Sequence, residues 1–182
     1  EGRERRPIRQ ALRVERAGDR PARGCRQGAD VLKDPGLLQK EKNAEVKAGD
    51  MIRVHGDCHV GNILWRDATA HFVDLDDCCT APALQDLWMF LSGERSYREL
   101  QLAELIEGYA EFCDFDPRQL RWLEALRTLR LAHYAAWLAR RWNDPAFPRS
   151  FTWFNTERYW SDHVLELREQ LSALQEEPLR LL

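Results

Sequence analysis

The sequence predicts an α+β fold, mostly α, in which a short β-hairpin precedes a run of helices. Three observations predict it. Apolar runs of strand length fall at residues 52–54, 63–65 and 71–75, the last two separated by a hairpin-length connection. From residue 84 onward apolar residues recur at helical spacing. Residues 1–50 contain no Phe, Trp or Tyr and show no sustained periodicity before residue 37.

Composition limits what such a chain can be. Its 182 residues are enough for one domain with a real core. A hydrophobic fraction of 44% with 31% charged residues suits a soluble globular protein. The formal net charge of −3 offers no basic excess for nucleic acid. No apolar run reaches the length of a membrane span, and the charged N-terminus has no apolar signal-peptide segment. The expectation is a cytoplasmic monomer without a nucleic-acid or membrane partner. Cys25, Cys58, Cys78, Cys79 and Cys113 are odd in number and irregularly spaced, which argues against a disulfide framework. No CxxC or HxxxH spacing supports zinc.

The elements follow in order. Residues 1–50 carry nine arginines between Arg3 and Arg26, interspersed with acidic residues. They read as an atypical Arg-rich leader with too little apolar area to offset its ordering entropy. A short helix over 37–48 is expected before Gly49-Asp50. The second segment, 51–182, starts with the strand at 52–54 and continues with the hairpin, whose exit carries Asp74. Leu84, Leu87, Trp88 and Leu91 then give a helical stripe between Pro82 and Gly93. Leu102, Leu105, Ile106, Tyr109 and Phe112 repeat the pattern. Asp116-Pro117 is an N-cap with a first-turn proline, opening a helix through Trp137. Its 129–138 stretch is apolar nearly all round and reads as a central buried helix. An aromatic loop over 143–153 leads to a last helix striped by Trp160, Val164, Leu167, Leu171 and Leu174. The seven tryptophans and these stripes read as core.

The chemistry concentrates in twenty residues. His55-Gly56-Asp57 is followed five residues later by Asn62, and the hairpin then delivers Asp74, Asp76 and Asp77. His-x-Asp-x-x-x-x-Asn arises roughly once in a hundred chains of this length at ordinary residue frequencies. Its spacing, with a strand-borne Asp downstream, matches the catalytic and metal-binding half of a kinase-type phosphotransferase. Transfer of a phosphoryl group from ATP to a hydroxyl is mostly positioning and charge neutralisation. Asp57 then reads as the proton acceptor and His55 as a loop organiser. Asn62 and Asp74 read as oxygen ligands of Mg²⁺, a hard cation, with Asp76 a candidate further ligand or a plain loop carboxylate. Gly56 lets the backbone turn tightly. Arg140 and Arg141, at a helix end, could pair with the acidic cluster, bind an acidic substrate group or simply complement the helix dipole.

At these residues a family resemblance appears. RVHGDCHVGNILWRD, HFVDLDD, APALQDLWMFLSGE and AWLARRWNDPAFP are similar to bacterial stress-response Ser/Thr kinases of the aminoglycoside phosphotransferase and choline kinase-like superfamily. The resemblance runs from about residue 52 to the C-terminus. It implies the large C-terminal lobe of a kinase-like fold, with the hairpin carrying the catalytic and metal residues. It implies Asp57 as proton acceptor, Asn62 and Asp74 as Mg²⁺ ligands, and Asp86 as support for the catalytic loop, against a first-turn dipole role. It implies ATP as co-substrate and transfer to Ser/Thr hydroxyls of a protein in a stress response. The same motif also serves small-molecule phosphotransferases acting on aminoglycosides, choline or homoserine.

The sequence departs from the family in three places. The hairpin connection Asp67-Ala68-Thr69-Ala70 stands where a shorter Gly turn is usual. Cys78 to Ala81 replace a stretch that usually places Gly before the proline. Residues 1–50 do not resemble the family at all, and too few residues precede His55 to hold its ATP-binding lobe. They contain no G-x-G-x-x-G, and Lys33, Lys40, Lys42 and Lys47 lack a strand context, so no nucleotide-binding residue is identified and an inactive fragment is a third reading.

Overall fold

The computed structural model describes residues 51–181. The Arg-rich leader, the helix expected over 37–48, Cys25 and the four lysines lie outside the described residues. The described chain divides into two units, residues 51–120 with 179–181, and residues 121–178.

In the first unit, β1 (Met51–Val54) pairs antiparallel with β4 (Cys79–Pro82), and β2 (Ile63–Arg66) pairs antiparallel with β3 (Thr69–Phe72). The β1–β4 pair thus brackets the segment that holds the second hairpin. Val54, Cys79 and Ala81 form a small buried apolar cluster between its strands. Three expectations change here. The hairpin connection is a two-residue turn, Asp67-Ala68, with φ of 50° and 58°, and not a four-residue loop. Positive φ at both central residues is the type I′ geometry that matches strand twist. The strand expected over 71–75 ends at Phe72, because Asp74 adopts the left-handed conformation and Leu75–Asp77 turns into a 3-10 helix. Residues 79–82, expected as loop, form β4; Pro82, the last residue of the strand, lacks only a donor that a strand end can forgo.

The helical part begins with α1 (Leu84–Leu87), continued as a 3-10 turn through Phe90. Leu84, Leu87, Trp88 and Leu91, the stripe seen in the sequence, are all buried. The long helix α2 (Arg95–Ala110) buries Leu102 and Leu105 almost completely. Each such leucine contributes about 1.5–3 kcal/mol of transfer free energy. Asp116 does act as a cap: its Oδ1 accepts from the Arg118 N–H at 2.9 Å. The turn it opens, Pro117–Trp122, is 3-10 rather than α.

The second unit contains α3 (Leu123–Arg141), α4 (Ala146–Ser150) and α5 (Glu157–Ala173). The α3 and α5 helices pack together, with Thr128 Oγ1 3.2 Å from Gln170 Oε1. Thr156 caps α5 by accepting from the Tyr159 N–H at 3.1 Å. Three expectations fail here. The aromatic segment over 143–153, expected as a loop, contains α4. Of the 129–138 stretch only Ala135 and Leu138 are buried, so α3 has one buried side rather than being enclosed all round. On α5, Trp160, Val164, Leu171 and Leu174 are exposed, while His163 and Gln170 are buried. The aromatic residues pack mainly on one another, Trp153, Phe154, Tyr159 and Trp160 meeting at 4.8–6.2 Å between ring centroids. Within this cluster Phe154 is buried. Trp88 and Trp122 are core, whereas Trp65, Trp153 and Trp160 are exposed. Arg141 lies over the Trp137 ring at 4.7 Å, a cation–π contact. Among the described residues no helix is long and apolar enough to cross a membrane.

Candidate active site

The site is built where the two strand pairs meet. The register of β1–β4, extended one and two residues past Val54 and Cys79, sets Gly56 beside Asp77. The fit is tight: a Cβ on Gly56 would lie 2.0 Å from the Asp77 carbonyl oxygen, and Gly56 has φ of +87°. Both facts require glycine at this position. The register of β2–β3, extended one residue past Ile63 and Phe72, pairs Asn62 with Val73, and the Val73 N–H donates to the Asn62 carbonyl at 3.0 Å. Asn62 and Asp74 therefore leave the hairpin at the same end.

The approach to Asp57 is held by hydrogen bonds at every residue. Asp86 accepts from the His55 N–H at 2.6 Å through Oδ2 and from the Gly56 N–H at 2.9 Å through Oδ1. Gln85 Nε2 donates to the Gly56 carbonyl at 2.8 Å. The His55 ring is buried and links the two strand pairs: its Nε2 lies 2.9 Å from the Val73 carbonyl. A carbonyl only accepts, so the ring carries its proton on Nε2 and presents Nδ1 as an acceptor, 3.4 Å from the Asp57 N–H. Burial pushes the Asp86 carboxyl above the ordinary carboxylate range, against the opposing pull of its two backbone N–H donors.

Asp57 itself is mostly enclosed, with 15% of its side chain exposed, and Oδ2 lies 3.7 Å from His59 Nε2. The His59 ring is oriented by its Nδ1, which accepts from the Gly61 N–H at 3.0 Å. The Asn62 amide is oriented too. Its Nδ2 donates to the Asp57 carbonyl at 3.0 Å, a bond that does not use the side-chain oxygen. Asp74 sits at the N-cap position of the following 3-10 turn but makes no side-chain capping bond. Its φ and ψ of 61° and 63° are unusual for a residue with a Cβ, although Asp tolerates them better than most. Asp76 and Asp77 are exposed in that turn. Among the described residues no three His, Cys, Asp or Glu side chains converge as a metal site. Asn62 and Asp74 would in any case supply a minority of the ligands of a Mg²⁺ ion, which keeps waters and substrate phosphates in its shell.

Two contributors escape a reading of the sequence. Gln85 precedes Asp86 and donates to the Gly56 carbonyl. Gln119, buried, accepts from the Leu84 N–H at 3.1 Å and so anchors the start of the short helix that bears Gln85 and Asp86. The only available signal was adjacency to Asp86 for Gln85; for Gln119 there was none. Cys58, next to Asp57, is buried, and its thiol is pushed up to about 12 by burial and by the nearby Asp86 and Asp57 carboxylates.

The model of the phosphotransferase enzyme family matches residues 2–123, which takes in both strand pairs and corrects the expectation that the family resemblance starts near residue 52 and leaves out residues 1–50. Stress response kinase A of Escherichia coli O157:H7 is 51% identical over 131 residues, which cover 72% of this chain and 40% of that protein. The serine/threonine protein kinase RdoA of Salmonella typhimurium is 50% identical over 130 residues, covering 71% of this chain and 39% of that protein. Stress response kinase A of Salmonella choleraesuis matches to the same extent, 50% over 130 residues. The chain thus spans about 40% of the length of the curated relatives it matches. With a family match over more than half its residues and half-identical relatives, the chain belongs to the phosphotransferase enzyme family.

Proposed function

We propose that this chain is the catalytic portion of an ATP- and Mg²⁺-dependent kinase that phosphorylates Ser/Thr hydroxyls of proteins, acting in a stress response. The observation that carries the reading is the convergence of three polar roles. A clamped His55-Gly56-Asp57 segment presents a carboxylate, and the hairpin brings Asn62 and Asp74 out at one end. Asp57 is the group that orients the acceptor hydroxyl and takes its proton. His55 organises the loop by tying it to Val73, and Asp86 supports it through two backbone bonds.

Asn62 and Asp74 would hold Mg²⁺, with Asp76 a candidate further ligand. The donor set fits. The Asn62 nitrogen, not its oxygen, makes the bond to Asp57, and the Asp74 carboxylate is not spent on capping its own turn. Both are hard oxygen donors. When bound, the ion would neutralise phosphate charge.

The choice of a protein acceptor over a small molecule rests on the names of the half-identical relatives, because the site chemistry serves both. The test uses radiolabelled ATP with a generic Ser/Thr protein substrate and, separately, a panel of aminoglycosides, choline and homoserine. Label is expected on the protein. Label on the small molecules alone would establish the other acceptor class.

A further inference from the structure

We propose that Gln85 is a positioning residue for phosphoryl transfer, because it fixes the peptide group from which Asp57 projects. The inference rests on the reading of Asp57 as proton acceptor. Three consecutive peptide groups lead into Asp57, and each is held by a side chain of one dipeptide. The first donates its N–H, that of His55, to Asp86 Oδ2 at 2.6 Å. The second donates the Gly56 N–H to Asp86 Oδ1 at 2.9 Å. The third, which joins Gly56 to Asp57, offers its carbonyl to Gln85 Nε2 at 2.8 Å. Asp86 thus orients the two peptide groups before Gly56, and Gln85 orients the one after it.

Glycine is what makes the third bond matter. Gly56 has the widest backbone freedom of any residue type, and here it is held at φ of +87°. Its contact with the Asp77 carbonyl limits where Gly56 can go but does not set the rotation of the peptide that follows. The neighbouring bond from the Asp57 N–H to His55 Nδ1, at 3.4 Å, is too long to fix that plane firmly. The Gln85 bond is short, partly buried and made to the carbonyl side of the same peptide. It tilts the plane and so aims the Asp57 carboxylate. The donor is itself anchored. A four-residue helix cannot hold its own start, and Gln119 accepts from the Leu84 N–H there.

An acid–base group must sit within hydrogen-bond reach of its proton, and small misplacements are costly. Removing the Gln85 donor therefore acts on turnover rather than on nucleotide affinity. Gln85→Met keeps the length and loses the donor; Gln85→Glu keeps the shape and sets a carboxylate against the Gly56 carbonyl. In the intact protein both are expected to lower kcat by about tenfold, with KM for ATP changed less than twofold. The Gly56 carbonyl ¹³C resonance should move upfield in both, a readout independent of activity, while the thermal midpoint stays close to that of the wild type. A Gln85→Met kcat within twofold of wild type, with Asp57→Asn inactive, overturns the role of Gln85 and leaves the role of Asp57 standing. A kcat loss that tracks the loss of folded protein also overturns it. If Asp57→Asn turns over like the wild type, the site reading falls and this inference falls with it.

Discussion

At the scale of single residues, the environment of Gly56 is the most demanding. Its positive φ and the 2.0 Å approach of the Asp77 carbonyl to a would-be Cβ leave no room for a side chain. Gly56→Ala is expected to cost at least ~2 kcal/mol in urea unfolding and to abolish transfer activity. An unchanged unfolding midpoint would show that the loop does not adopt this conformation. Cys58 gives a second residue-scale prediction. Folding raises its thiol from 9.0 to about 12, so the folded state prefers the neutral form. The stability that this preference represents is fully present below pH 9 and is lost as pH climbs from 9 toward 12. Iodoacetamide at pH 8.5 should accordingly label exposed Cys113 and spare Cys58 until denaturant is added, as read by peptide mass spectrometry. Equal labelling of the two in the native state would contradict the burial of Cys58.

At the scale of elements, strand register is what assembles the site. Pairing of Ile63 with Phe72 carries Asn62 and Asp74 to one end, and pairing of Val54 with Cys79 carries Gly56 to Asp77. The hairpin achieves this with two non-glycine residues at positive φ, Asp67 and Ala68. Alanine in that region costs on the order of 1 kcal/mol, so Ala68→Gly should stabilise the protein by ~1 kcal/mol with an unchanged denaturant slope. A loss of stability would show that the turn is not of this type. Much of this level was legible in advance. Apolar runs placed β1 and β2 and helical stripes placed α1, α2, α3 and α5, because burial of one face leaves a periodic trace in the sequence, whereas α4 lies in a segment read as loop. β4 was not legible, since Cys-Thr-Ala-Pro has no strand signature and becomes a strand only by pairing with β1. The 3-10 turn after Asp74 was hidden for a similar reason, as one left-handed residue leaves no pattern. Asp57, Asn62 and Asp74 stood out by spacing, whereas Gln85 and Gln119 act through backbone atoms 29 and 35 positions away and carry no local signal.

At the scale of the molecule, each unit has a buried tryptophan, Trp88 in the first and Trp122 in the second, and each has exposed ones. The first unit buries its apolar stripe on α1 and α2, whereas in the second Trp153 and Trp160 keep much of their surface in solvent. Reading every aromatic stripe as core failed there, because stripe periodicity reports helix geometry and not how many neighbours cover the face. The chain spans about 40% of the length of its kinase relatives, while the residues proposed for proton acceptance and metal binding all lie within residues 55–86 of it. The account therefore stands or falls on Asp57. The direct measurement is the initial rate of transfer from γ-labelled ATP, with Mg²⁺, by the intact protein and by its Asp57→Asn variant. A fall of about a hundredfold or more is predicted, the contribution of a positioned acid–base group. A variant rate within twofold of the wild type would contradict it.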